Sequence, residues 1–225
     1  MQGILLVDKP AGWTSFDVVN KIRYEAARLQ AVKPKSIKVG HAGTLDPFAT
    51  GLLIVLVGKE YTCQAQKYSK QDKTYEVTMV LGKSSSTGDP DGEITPGVEL
   101  IPALDELKDT LAKFEGKIEQ TPHPFSAVKI GGQRAYKLAR QGKETPLEPR
   151  AVTIKSIELR KYDYPEVELV AEVSSGTYIR SLVEDIGKDL GTAAYTNVLR
   201  RTRIGDFDIK NALGIEQTSK NLPYI

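Results

Sequence analysis

Cysteine and histidine are almost missing from this chain: one Cys, Cys63, and two His, His41 and His123, among 225 residues. A single cysteine excludes an internal disulfide and puts a thiolate metal cluster out of reach. Two isolated histidines are too few for a zinc centre, so no metal is expected. No apolar stretch approaches the roughly 18 residues of a membrane span. The start, "MQGILLVDKP", lacks the basic head and cleavage site of a signal peptide, so a cytoplasmic location is expected. Catalytic motifs are missing too. Gly51 and Gly58-Lys59 are separated by six residues and followed by Glu60, which fails the nucleotide phosphate loop. There is no G-x-S-x-G elbow and no H-E-x-x-H, and Ser–His or Cys–His catalysis has little support.

What is present is an ordinary globular composition, 40% hydrophobic and 27% charged. Gly3 to Asp8 reads as a buried strand ended by Lys9-Pro10. Thr14 or Ser15 caps a helix that carries Val18, Val19, Ile22, Ala26 and Leu29 on one face. Leu52 to Val57 is too short for a typical helix and rich in branched residues, hence an interior strand. Thr74 to Gly82 alternates as a strand, with Tyr75, Val77, Met79 and Leu81 on one side. A turn-rich connection, Lys83 to Gly97, precedes a helix from about Pro102 to Phe114 and a short one from Arg134 to Arg140. Strands follow at about Arg150 to Arg160 and Glu166 to Val173. A helix from Tyr178 to Leu190 is expected to bury Leu182, Val183, Ile186 and Leu190, capped by Thr177 and stopped by Gly191. Strands around a turn close the chain near Ile209. The mixture predicts an α/β (α+β) domain on a mixed sheet.

Charge is unevenly placed. Residues 121–161 hold nine Lys/Arg against three Glu, a local +6 in a chain of net +2, leaving −4 elsewhere. Such a segment fits a polyanion or a merely solvated face. Asp46 sits among Gly40, Gly43, Pro47 and Gly51, just ahead of the apolar run. It reads as a turn residue bonding nearby amides, or as a carboxylate held ready to attack. Arg180 follows "SSGTYI" in the first turn of a helix, where the dipole disfavours a cation. Either a surface ion pair or a functional anion answers it.

Beyond these residues the chain resembles a family. "GHAGTLDPFATGLL" (Gly40 to Leu53) is similar to the signature of the TruB family of pseudouridine synthases. "VDKPAGWTS", "KTYEV", "PFSAVKIGGQRAYKLAR", "SSGTYIRSLVEDIG" and "LRRTRIG" resemble its remaining blocks in the same order, from near residue 3 to about 210. The resemblance implies a pseudouridine synthase fold, a mixed and mostly antiparallel sheet flanked by helices with the active-site cleft across it. It implies isomerisation of uridine to pseudouridine at position 55 in the tRNA T loop, after base flipping and without a cofactor. Asp46 takes the place of the family's nucleophile, Tyr75 that of the residue stacking on the base, and Arg180 that of the arginine paired with the carboxylate. His41, Tyr178 and Leu199 match residues that hold the rearranged loop or line the uridine pocket. Lys9, Lys129, Arg134, Arg200 and Arg201 lie in matching blocks and are expected at the RNA.

The resemblance further implies one catalytic domain over residues 1–225, with a thumb-like RNA-binding insertion at about 121–150. The expected partner is the T arm of tRNA, with no membrane, no obligate protein partner and a monomeric state. Two departures stand out. Family members typically read Pro-Pro where this chain has "QTPHPF", with His123 intruding. The chain ends at Ile225, so no C-terminal RNA-binding domain of the PUA type is expected in it; either a naturally short form or a shortened chain would then grip the acceptor side more weakly. Two rival readings remain at this point: a guide-RNA-dependent relative, and an RNA-binding module whose loop is vestigial.

Overall fold

An uninterrupted apolar run has no polar face to offer water, so residues 52–57 demand cover on both sides. The computed structural model of the chain describes residues 2–98 and 100–222, without the side chains of 219–221. In chain order the elements begin β1 (Gly3–Lys9), α1 (Ser15–Leu29), β2 (Val39–Ala42), β3 (Thr50–Val57), α2 (Lys59–Thr62), α3 (Ala65–Ser69) and β4 (Lys73–Leu81). Next come β5 (Lys83–Ser85), β6 (Ile94–Pro96), α4 (Leu104–Lys113), β7 (Gly116–Gln120), β8 (Lys129–Ile130), β9 (Gln133–Arg134) and α5 (Ala135–Ala139). The chain closes with β10 (Arg150–Asp163), β11 (Glu166–Val173), α6 (Ile179–Asp189), β12 (Ala194–Ile204), β13 (Phe207–Asp208), β14 (Leu213–Gly214) and α7 (Ile215–Asn221). Two compact units form: the first takes residues up to Tyr75 and from Leu199 onward, the second Glu76–Val198.

In the first unit β3 is the axis. β1 runs antiparallel along it from Gly3↔Val57 to Lys9↔Gly51. Its other edge takes β2 antiparallel, with His41 opposite Val55, and Arg200 and Arg201 of β12 parallel, opposite Thr50 and Gly51. β14 joins β1 in parallel, so the sheet is mixed, as expected. Alternation then sends successive residues of β3 to opposite faces. Leu53, Val55 and Val57 pack with Leu5, Val7 and the α1 residues Val18, Val19 and Ile22. Leu52, Ile54 and Leu56 pack with Ala42, Tyr68 and Ile204. Helix α1 starts where expected: the Thr14 hydroxyl accepts from Asp17 N–H while the Asp17 carboxylate accepts from Thr14 N–H, a capping box. Leu29 departs from expectation. It is 43% exposed, because it is the last helical residue and the apolar stripe has run past its cover.

The second unit is built on an antiparallel meander, β7 to β10 to β11. β10 runs to Asp163, beyond the expected end at Arg160. The connection at 83–97 carries a small β5–β6 hairpin in place of a plain loop. Helix α6 buries Leu182, Val183, Ile186 and Leu190, and Gly191 at φ +72° ends it. The expected Thr177 cap is wrong. Tyr178 occupies the N-cap without a side-chain bond, and the Thr177 hydroxyl donates to Ser174 O at 2.9 Å. A hydroxyl that already has an acceptor in its own turn is diverted from the helix amides.

Candidate active site

Asp46, half-buried, stands in a loop whose backbone is fastened at nearly every residue. The Ser15 hydroxyl accepts from Leu45 N–H at 2.9 Å and lies 3.2 Å from Leu45 O. Pro47 O accepts from Gly12 N–H at 2.9 Å and from Lys9 Nζ at 3.3 Å, and Asp46 O accepts from Ala49 N–H. Arg201 holds the other flank, donating from Nη2 to Gly43 O at 2.9 Å, from Nη1 to Thr44 O, and from Nε to Leu52 O at 2.8 Å. Gly51 makes this approach feasible. At φ +104°, a Cβ there would lie 2.3 Å from Arg201 O and 2.7 Å from Arg201 N. A functional carboxylate on such a loop is pre-organised by the frame beneath it.

That frame corrects two sequence expectations. Lys9 and Arg201 were expected at RNA phosphates, yet they are 0% and 1% exposed. Lys9 Nζ also donates to Pro10 O and to Trp13 O at 2.7 Å. Buried donors are satisfied by backbone carbonyls where no phosphate can reach. Burial brings the Lys9 ammonium down to about 8, while the Asp46 charge pulls it up and Arg201 pushes it further down. Arg200, on the opposite face of β12, forms a bidentate pair with Asp8 at 2.7 and 3.0 Å and is about one-third exposed. It lines an open depression of about 530 Å³ with Thr50 and Gln217. Tyr75 and Leu199 are buried in β4 and β12. His41 is half-buried on β2; burial first and Arg201 second lower its pKa, so it is neutral at neutral pH. Its Nδ1 has no hydrogen-bond partner among the described residues.

In the second unit Arg180 is 4% exposed, and its anion is in plain view. Nη1 donates to Asp89 Oδ2 at 3.1 Å and to Thr87 O at 2.7 Å, and Nη2 to Phe125 O at 2.8 Å. Asp89 is itself tied down, accepting from the Thr87 hydroxyl and from Asp91 N–H at 3.1 Å. This buried pair explains how a cation survives in the first turn of α6. Tyr178 is positioned just before it by Gln120, whose amide accepts from Tyr178 N–H at 2.8 Å and donates to Tyr178 O at 3.1 Å. Asp89 and Gln120 were missed from sequence, and His123 shows there only as a departure from the family pattern, outside the candidate site. Asp89 in "TGDPDG" reads as turn composition, and its partner lies 91 residues away with no local pattern to betray it.

Lys129 and Arg134 are exposed and face each other across β8 and β9, joined by Gly131 and Gly132 at φ +55° and +84°. Two positive φ values make the two-residue hairpin turn that matches strand twist. Like charges directly opposite on a hairpin are destabilising until an anion lies between them. Among the described residues no three His, Cys, Asp or Glu are grouped to hold a metal ion, and no helix is long and apolar enough to cross a membrane.

The TruB family pseudouridylate synthase (N terminal domain) profile matches residues 29–179, and the tRNA pseudouridylate synthase B C-terminal domain profile matches residues 180–222. The chain is similar to tRNA pseudouridine synthase B of Aquifex aeolicus, 44% identical over 219 residues, which cover 96% of this chain and 73% of that one. The same-named protein of Flavobacterium johnsoniae is 40% identical over 97% of this chain and 95% of its own. Among solved structures, a Cbf5–Nop10–Gar1 complex matches with a TM-score of 0.73 at 26% identity, over 99% of this chain and 55% of that chain. The chain thus spans about half the length of that structural neighbour.

Proposed function

The chain belongs to the TruB family of pseudouridylate synthases, and from that premise we propose that it converts uridine to pseudouridine at position 55 in the T loop of tRNA. The observation that carries the reading is the Asp46 loop, whose flanking peptides are fastened by Ser15, Gly12, Lys9 and Arg201. A carboxylate is already ionised at neutral pH, so as a nucleophile it needs placement more than a general base. In the reaction the uracil N1–C1′ bond breaks and a C5–C1′ bond forms. The proton leaves C5 and one is gained at N1, so atoms balance without redox chemistry or an energy source. Asp46 is proposed as the nucleophile, Tyr75 as the ring that stacks on the base, and Arg180 as the cation that keeps the Asp46 carboxylate charged.

The target base lies inside a folded loop and has to be extruded, at a cost of a few kcal/mol. His41, Tyr178 and Leu199 are assigned to the rearranged loop and its pocket. Lys129, Arg134 and Arg200 are assigned to phosphates, with residues 121–150 as the thumb of one catalytic domain. The like-charged Lys129–Arg134 pair supports that assignment, since a phosphate relieves the repulsion. The enzyme is proposed to work in the cytoplasm as a monomer, with no cofactor and no obligate protein partner.

The test incubates the protein with an unmodified tRNA transcript, without guide RNA, and maps pseudouridine by mass spectrometry. Product at position 55 from wild type and none from Asp46→Asn is expected. A silent wild type, a need for guide RNA, or undiminished product from Asp46→Asn would each sink the proposal.

A further inference from the structure

His123 replaces a proline of the family pattern, and its ring is wedged where a proline could bond nothing. It is 5% exposed, at the root of the basic segment. Nδ1 accepts from Phe125 N–H at 3.2 Å and lies 3.4 Å from Arg180 Nη1. An accepting Nδ1 carries no proton, which leaves the proton on Nε2, and Nε2 faces Glu184 Oε1 at 3.4 Å. Glu184 stands one turn beyond Arg180 on the same face of α6, so one imidazole bridges both.

The surroundings are shaped for this ring. Gly88, at φ +68°, leaves the space: a Cβ there would lie 2.8 Å from Glu184 Oε1 and 3.0 Å from His123 Nε2. The whole stretch from Gln120 to Phe125 is stitched to the start of α6. Gln120 grips Tyr178, Thr121 O accepts from the Ser181 hydroxyl at 3.0 Å, and Phe125 O accepts from Arg180. His123 is the member of this seam that holds the Phe125 N–H, lies beside the Arg180 Nη1 that Thr87 O and Asp89 share, and faces Glu184 in the next turn.

We infer that His123 is a positioning residue: its unprotonated Nδ1 and its Nε2–H lock the root of the basic segment to α6 and fix the orientation of the Arg180 guanidinium. The inference rests on the proposed role of Arg180 in uridine isomerisation. Without His123 the Phe125 peptide loses the acceptor for its N–H, so the carbonyl that receives Arg180 Nη2 is less firmly placed and the guanidinium can tilt about its Nη1 partners, Asp89 and Thr87 O. Loss of His123 therefore slows the chemical step more than it weakens tRNA binding.

The experiment measures kcat and KM on the tRNA transcript for wild type, His123→Phe, His123→Asn and His123→Gln, with Tm for each. Phe fills the space without nitrogen; Asn returns an acceptor near the place of Nδ1; Gln reaches toward Glu184 but not Phe125. His123→Phe should lower kcat about tenfold, the scale of one hydrogen bond to a charged group, with KM within about twofold. His123→Asn should recover most of kcat, and His123→Gln should not. Wild-type kcat in the Phe variant, or a fall confined to KM and Tm, overturns the inference. If the Phe variant does not fold, the Asn and Gln pair decides alone, and equal or reversed activities overturn it. An inactive wild type instead overturns the proposed function.

Discussion

Two sets of basic side chains in this molecule are used in opposite ways. Lys9, Lys73 and Arg201 in the first unit are 0%, 7% and 1% exposed and direct their donors at backbone carbonyls. Lys129 and Arg134 in the second unit stand exposed on a hairpin whose two glycines have nothing within 4 Å of an added Cβ. In the first set Lys9 and Arg201 build a rigid seat for Asp46 while Lys73 closes the turn at 69–71; the second set presents charge to whatever approaches, with Arg134 steadied by one donation to Ala127 O. A count of positive residues cannot separate these uses, since a buried cation serves the fold and an exposed one serves a partner.

The contrast is broken hardest at glycine. Gly51→Ala puts a methyl against the Arg201 backbone at a φ that L residues rarely adopt. A cost of about 5 kcal/mol is expected, from forced separation of two strands plus backbone strain. Gly131→Ala, also at positive φ but with open space around it, should cost about 1 kcal/mol. Urea titration of both variants measures the ratio, and equal costs would erase the distinction between the two regions.

Arg201→Met comes next. It leaves Leu52 O without its donor in a buried place, and Gly43 O and Thr44 O without theirs in partly buried contacts. About 4 kcal/mol of stability should go, or roughly 8–16 °C in Tm for a chain of this size. Activity measured well below the new Tm should fall while tRNA binding persists, because the Asp46 loop loses its clamp and the hairpin does not. Binding lost in step with activity would return Arg201 to the phosphate role first expected of it.

These cases also show what could be read in the residue order. β1, β3 and α1 were legible because apolar spacing and a capping hydroxyl at Thr14 or Ser15 are local signals, each complete within one element. Asp46 stood out among its glycines as a turn residue or a nucleophile, and only the ordered motifs favoured the second, since both ask for the same residue. Arg201 was misread because alternation in "LRRTRIG" says two faces exist, not which one β3 and the Asp46 loop will cover. The Thr177 cap failed on a competition between two nearby carbonyl and amide partners that spacing does not rank. Asp89, Gln120 and His123 act through partners 91, 58 and 57 to 61 residues away, which no window of local pattern spans.

Lys73 tests the buried set by pH. Its Nζ donates to Ser69 O and Gln71 O, and burial first, with Arg201 second, brings it from 10.5 to about 8. The folded pKa lies below the unfolded one, so the unfolded chain binds the extra proton between the two values. Stability therefore rises with pH from about 8 to about 10.5, after a full penalty below pH 8. The span corresponds to about 3 kcal/mol. Wild-type stability minus that of Lys73→Met, followed by denaturant titration from pH 7 to 11, should climb through that window. A flat difference would mean the ammonium is not desolvated.

The exposed set gives the smallest effect and the most discriminating sign. Lys129→Ala removes one of two like charges facing each other across β8 and β9. If the pair is only surface, the change should raise stability by a few tenths of a kcal/mol and leave RNA affinity alone. If the hairpin meets phosphate, the same variant should bind the tRNA transcript a few-fold more weakly. The slope of log affinity against log salt should then flatten by just under one unit. Stability and affinity thus move in opposite directions only when the charge exists for a partner. Buried lysines show the reverse pattern, where loss of the side chain disturbs the fold first. A Lys129→Ala protein that is less stable and binds RNA with an unchanged salt slope would put this residue with the internal struts and remove the thumb from the RNA interface.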